Sequence, residues 1–285
     1  MVQKAAGGFE RNATAAGAKR VGIGSSQEQK FRARAMKIEP RLDILPEAQK
    51  EIWLYLADVP KNFVLYGGTA VALRYGHRAS VDFDFFTSKQ GIDLQATGKT
   101  MPFVSKFPHD IKKRSENHVD FIFEVNKEIV KLTLLNNKDI IAGSIYHPDI
   151  VESNKIKIAS PIDLMACKIL ALHNRSEAKD YADVAAMIKH GISLQKGFEA
   201  AQAISKLSRL GSGQLMLDRL QADFCSKSVE KIISSSEDIC LTKMSNEYAE
   251  ILRQSAKSLD INKILNTRTK AYACIERQPD NDRGR

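Results

Sequence analysis

Cysteine is scarce in this chain of 285 residues. Its four copies, Cys167, Cys225, Cys240 and Cys274, are scattered and form no C-x-x-C pair, which excludes a zinc ribbon or a disulfide framework. The six histidines have no metal-ligand spacing either. No apolar run is long enough to cross a bilayer, so no membrane partner is expected, and the first residues lack a signal-peptide apolar core. Internal repeats are absent. A reducing, cytoplasmic setting is the expectation that fits these absences.

What is present is a globular composition with one sign of charge in excess. A hydrophobic content of 43% can build a core, and the formal net charge is +9. Such a balance suits a polyanionic partner, a nucleic acid or a nucleotide phosphate, and equally a soluble protein that is merely basic. The length allows one large domain or two small ones. Residues 1–35, rich in Ala, Gly, Ser, Lys and Arg, lack an apolar face and are expected to form a disordered tail. Glu10 and the missing amphipathic face argue against an organelle transit peptide. The folded chain is expected to start near Met36, and 275–285 reads as a second tail.

Residues 46–58 have helical spacing, with Leu45, Ile52, Leu56 and Val59 apolar and Pro46 at the first turn; Trp53 on this helix is expected in the core. Phe63–Tyr66 reads as a buried strand ending in Gly67-Gly68-Thr69, followed by a helix over 70–75. Val81–Phe86 alternates acidic and apolar residues, the signature of a strand. Two extended runs, 118–125 and 129–135, predict a hairpin turning at Asn126-Lys127-Glu128. From Ser160 the pattern turns helical: a Ser cap, Pro161 at the first position and Asp163 in the first turn open a helix to about His173. Another helix runs from Lys179 to Gly191.

The chemistry concentrates between Leu65 and Phe86. Two glycines before a helix let the backbone approach an anion closely. Asp82 and Asp84, two apart on a strand, share one face while Phe83 and Phe85 point into the core. Two hard oxygen ligands opposite a phosphate suit magnesium or manganese. Arg78 is a natural bidentate partner for phosphate, whereas His77, in a loop without a metal-spaced partner, reads as structural.

Leu65-Tyr66-Gly67-Gly68-Thr69-Ala70, then Gly76-His77-Arg78-Ala79-Ser80-Val81-Asp82-Phe83-Asp84-Phe85-Phe86, resembles the signature of the nucleotidyltransferase superfamily and, within it, the AbiEii/AbiGii abortive-infection toxin family. Ser160-Pro161-Ile162-Asp163-Leu164-Met165-Ala166-Cys167-Lys168, Leu172–Arg175 and Lys179–Asp183 resemble that family's helical motifs, and the likeness covers roughly residues 45–200. It implies an α/β (α+β) fold: a nucleotidyltransferase mixed-sheet domain over 36–157, followed by a helical half over 158–274. By the same likeness Gly67, Gly68 and Thr69 contact the triphosphate of an NTP, and Asp82 and Asp84 hold metal. Lys131, Lys168 and Asp180 lie near the nucleotide, and Arg175 and Asp183 complete the helical side. On that reading Lys168→Ala weakens NTP binding and leaves the fold intact. The expected activity is transfer of an NMP to an acceptor, with RNA or tRNA as the implied substrate, in a type IV toxin–antitoxin or phage-defence system whose antitoxin is encoded separately.

One position departs from the pattern. The family's Lys-x-Asp falls on Lys131-Leu132-Thr133, and a threonine hydroxyl is neither a good metal ligand nor a base at neutral pH. Asp120 and Glu124, on one face of the neighbouring strand, are candidates to substitute across the hairpin, and Asp180 is another. Two alternatives stay open: a non-catalytic nucleotide-binding regulator, and a transferase acting on a small molecule such as an antibiotic.

Overall fold

Period-two runs on this chain assemble into an eight-stranded mixed sheet in a computed structural model that describes residues 36–144, 146–207 and 213–266. The tails expected at 1–35 and 275–285 lie outside the described residues. The strands are β1 (Lys37–Ile38), β2 (Val64–Tyr66), β3 (Asp82–Thr87), β4 (His109–Ser115), β5 (His118–Val125), β6 (Glu128–Asn136), β7 (Asp149–Val151) and β8 (Lys157–Ile158). Their order is β1-β7-β8-β2-β3-β6-β5-β4. The central pair β3/β6 is parallel, with Asp84 opposite Thr133, and β6 pairs antiparallel with β5, with Thr133 opposite Asp120.

One sheet face is apolar because alternate residues are. Leu65, Phe83, Phe85, Phe121, Phe123, Leu132 and Leu134 are buried. Helix α1 (Glu47–Trp53) covers them, its Trp53 ring 6.3 Å from Phe83. Past Trp53 the chain tightens into a 3-10 turn over Leu56–Asp58, so the helix expected over 46–58 is shorter than its apolar spacing implied. Helix α2 (Gly67–Tyr75) follows β2 without a linker, and the glycine pair forms its first turn. Short helices α3 (Leu94–Lys99) and α4 (Lys138–Gly143) close the sheet half. The β5–β6 hairpin turns through two residues, Asn126 and Lys127, both at positive φ (51° and 68°). That is the type I′ geometry matching strand twist.

The helical half begins with α5 (Pro161–Asn174), whose cap is the one read from sequence: Ser160 Oγ accepts the Asp163 amide at 3.1 Å and donates to its carboxylate at 2.6 Å. Next come α6 (Ala178–Lys189), α7 (Leu194–Leu207), α8 (Gly213–Cys225), α9 (Ser228–Ser234), α10 (Ile239–Lys257) and α11 (Ile261–Asn266). α5 packs between α6 and α7, and both α5 and α6 lie against α2. This contact brings the helical charges to the sheet's polar face.

Candidate active site

The polar face of the sheet and the inner side of α5 enclose a cleft of about 840 Å³, within the range that admits a nucleotide. Gly67, Asp84, Lys131, Thr133, Asp120, His118 and Arg114 line it from the sheet side, and Lys168 and Arg175 from the helical side. Tyr66, Phe86, Leu135, Ile140 and Leu164 give it an apolar section.

β3 fixes the acids. Phe83 and Phe85 are fully buried, while Asp82 and Asp84 are half-buried on the opposite face, as the alternation requires. Lys131, opposite Asp82 in register, places its ammonium 3.2 Å from the Asp82 carboxylate. Burial pushes Asp84 above its ordinary value, and the Asp82 charge adds to the shift against the weaker pull of Lys131 and Lys168. A carboxylate disfavoured in its charged form by burial and a like neighbour is one that a cation would relieve. Among the described residues no cluster of three or more His, Cys, Asp or Glu is present. A divalent ion held here would complete its shell with water and phosphate oxygens, the ordinary habit of magnesium. The donor set fits that ion.

The glycines have a use that the sequence did not disclose. Gly67 sits at φ +75°, and a Cβ there would collide with the Asp84 carboxylate. A Cβ on Gly68 would collide with the Arg78 guanidinium. The pair therefore gives room to two charged side chains as well as exposing backbone. Thr69 is turned inward: its fully buried hydroxyl donates to the Asp82 carbonyl and shares a 2.9 Å hydrogen bond with Ser80. Its hydroxyl is thus spent on a clamp on β3 and is not turned toward the cleft.

Arg78, Asp180 and Asp183 also sit elsewhere than a phosphate-facing role requires. Asp183 is fully buried; Arg78 grips it through two bonds of 2.7 and 2.9 Å, His77 Nε2 lies 2.7 Å away and Lys168 Nζ 2.6 Å. Although burial opposes its charge, Lys168 and Arg78 hold Asp183 well below the carboxylate range. Lys168 also donates to Asp180 at 2.8 Å, and Arg175 donates to the other Asp180 oxygen at 2.9 Å. Burial works against the Lys168 charge too, but Asp183 and Asp180 outweigh it and keep the ammonium protonated. The helical motif is thus a buried ion network that aims Lys168 and Arg175 into the cleft. Arg78, Asp180 and Asp183 do not line that cleft; Arg78 is spent on Asp183, and Asp180 on Lys168 and Arg175.

At the departure from the pattern, Thr133 donates to Asp120 Oδ1 at 3.0 Å. Asp120 accepts from Arg114 at 2.9 Å and meets His118 Nε2 at 3.0 Å. Burial raises the Asp120 carboxyl, but these three partners reverse that and hold it below its ordinary value. Glu124, farther along β5, is exposed and outside the cleft lining. Arg114 and His118 escaped the sequence reading. Period-two spacing from Asp120 could have found His118; Arg114 lies on β4, where the pairing register shifts between Lys113 and Ser115.

The chain is similar to several known proteins. A family model described as "Nucleotidyl transferase AbiEii toxin, Type IV TA system" matches residues 54–210. An uncharacterized protein of Aquifex aeolicus (strain VF5) is 32% identical over 145 residues, 47% of this chain; the match spans 62% of that relative's length. Among solved structures, MenT4, a nucleotidyltransferase toxin of Mycobacterium tuberculosis H37Rv, superposes with a TM-score of 0.50 at 12% identity, covering 80% of this chain and 89% of its own. A structure from H. pylori assigned as a nucleotidyltransferase gives 0.46 at 20% identity, over 80% and 97%. With the Gly-Gly turn, the paired aspartates and the helical ion network all inside the matched segment, the chain belongs to the AbiEii nucleotidyltransferase toxin family.

Proposed function

We propose that this protein transfers a nucleoside monophosphate from an NTP to a hydroxyl of an RNA acceptor, with magnesium or manganese bound at Asp82 and Asp84. The observation that carries the reading is the same-face aspartate pair beside the Gly67 turn, with Asp84 held above its ordinary value by burial and by the Asp82 charge. When bound, the metal supplies positive charge to the triphosphate and to the oxygens that exchange at the α-phosphorus. Lys168 and Arg175 bind phosphate oxygens from the helical side, their positions fixed by Asp180 and Asp183. Lys131 steadies Asp82 and adds positive charge. The acceptor oxygen forms a bond to the α-phosphorus, the α–β bridging bond breaks, and its electron pair leaves with pyrophosphate.

Residues 36–157 would supply the carboxylates and 158–274 the phosphate-binding cations. Family membership points to a toxin acting in the cytoplasm beside a separately encoded antitoxin, and the net charge of +9 suits RNA. Thr133 favours a second reading, a nucleotide binder without transfer. The test is incubation with each α-labelled NTP and total cellular RNA, with and without magnesium. Label in RNA that needs metal and disappears in Asp84→Asn is the expected result. NTP binding without label transfer would favour the second reading, and label on a small molecule alone would replace RNA as the acceptor.

A further inference from the structure

The transferase reading leaves one task without a residue: an acceptor hydroxyl must lose its proton, and Thr133 stands where a third carboxylate would. β3, β6 and β5 align Asp84, Thr133 and Asp120 in one row across the polar face. The carboxylate missing from β6 is present one strand farther out. Adjacent strands lie about 4.8 Å apart, so β3 and β5 are separated by roughly 10 Å, with Thr133 between them. That gap has room for a phosphate and an acceptor oxygen.

Asp120 itself is a poor base, because three donors already engage it: Arg114, His118 and Thr133. His118 is the better group. Its Nε2 lies 3.0 Å from Asp120 Oδ1. An ionised carboxylate can only accept, so Nε2 carries the proton and Nδ1 keeps its lone pair. Among the described residues no hydrogen-bond partner engages Nδ1. The ring is about one-third exposed and lines the same cleft as Asp84 and Lys168. The cleft-lining cations are each paired with a carboxylate: Lys131 with Asp82, Lys168 with Asp180 and Asp183, Arg175 with Asp180. Base strength follows basicity, and an imidazole is ordinarily more basic than a carboxylate.

We propose that His118 is the general base of the transfer and that Asp120 is the positioning residue that fixes its tautomer. Resting on the transferase reading, the step is balanced as follows. Nδ1 takes the proton of the acceptor hydroxyl as its oxygen bonds to the α-phosphorus. The α–β bridging bond breaks and its electrons leave with pyrophosphate. The imidazolium then releases its proton to solvent. Arg114, at the register shift of β4, anchors the second Asp120 oxygen.

The experiment measures kcat and KM for α-labelled NTP, with magnesium and total cellular RNA, for the full chain, His118→Ala, His118→Gln and Asp120→Asn. Glutamine can still donate to Asp120 but offers no base, so it preserves the structural bond and removes the chemistry. Expected is a fall in kcat of about 10²-fold for both His118 variants, KM within about twofold, an unchanged thermal midpoint for His118→Gln, and partial recovery of His118→Ala with added imidazole. Asp120→Asn should lower kcat by about tenfold at constant KM, since an amide cannot select the tautomer as a carboxylate does. A His118→Gln kcat within about threefold of wild type, or a loss that appears wholly in KM, overturns the proposal and leaves the transferase reading standing. A wild-type chain that labels no acceptor overturns that reading and this inference with it.

Discussion

Asp183 is the residue on which the helical half of the site turns. It faces Arg78, His77 and Lys168 from a fully buried position, so its removal strands the buried Arg78 guanidinium and leaves Lys168 with Asp180 alone. Breaking one partner of a buried charge pair ordinarily costs about 3–5 kcal/mol, and Asp183→Asn should lose stability of that order in denaturant unfolding. Lys168→Ala should fall in the same range, since it leaves Asp180 with only the half-exposed Arg175 and takes one of the two cations from fully buried Asp183. The expectation from sequence that Lys168→Ala leaves the fold intact did not include the burial of that lysine. Arg175→Ala should cost at most about 1 kcal/mol, because that side chain is half-exposed. The pH dependence has a definite sign. The folded Asp183 carboxyl lies well below 3.8, so its stabilisation is present above 3.8 and is lost as pH falls toward the folded value. Wild type should therefore shed stability below pH 4 more steeply than Asp183→Asn. At this scale the sequence disclosed Asp82 and Asp84, whose period-two spacing determines their face. It did not disclose that Thr69 and Arg78 serve the protein's own groups, because their partners lie 13 and 105 positions away.

Elements were legible where a local rule decides them. The cap at Ser160 and the turn at 126–127 both rest on contacts within a few residues. The strands β1, β4, β7 and β8 were not read: β1 and β8 have two residues each, β7 has three, and β4 is mostly exposed. No periodicity can be counted over such lengths, and an exposed edge strand shows no alternation. The missing β4 is also why Arg114 was overlooked. Local rules yield two predictions. Ser160→Ala removes an N-cap and should cost about 1 kcal/mol. Lys127 holds φ +68°, a conformation costing a side-chain-bearing residue roughly 1–2 kcal/mol. Lys127→Gly gives the preferred type I′ pair Asn-Gly. After the extra unfolded-state entropy of glycine is subtracted, a gain of about 0.5 kcal/mol should appear as a higher thermal midpoint. A lower midpoint would mean that the Lys127 side chain makes contacts worth more than its backbone strain.

On the scale of the whole molecule, the cleft belongs to neither half alone. Asp84, Lys131 and Thr133 come from the sheet, and Lys168 and Arg175 from the chain after Ser160. A ligand seated there ties the halves together, so binding and global stability must be linked. A ligand that binds only the folded state at 100 times its Kd adds about 2.7 kcal/mol. For a domain of this size each kcal/mol raises the midpoint by about 2–4 °C. An NTP with magnesium should thus raise the midpoint by roughly 5–10 °C. The rise should vanish on chelation if the Asp82–Asp84 pair depends on a cation. Asp84→Asn separates the two contributions: without ligand it should be as stable as wild type or slightly more so, because burial and the neighbouring Asp82 disfavour the Asp84 charge. With NTP and magnesium its midpoint should not move. The same upward shift in wild type and in Asp84→Asn would place the nucleotide away from the aspartates. A shift by NTP that chelation leaves intact would assign binding to Lys168 and Arg175 alone and remove the metal from the site.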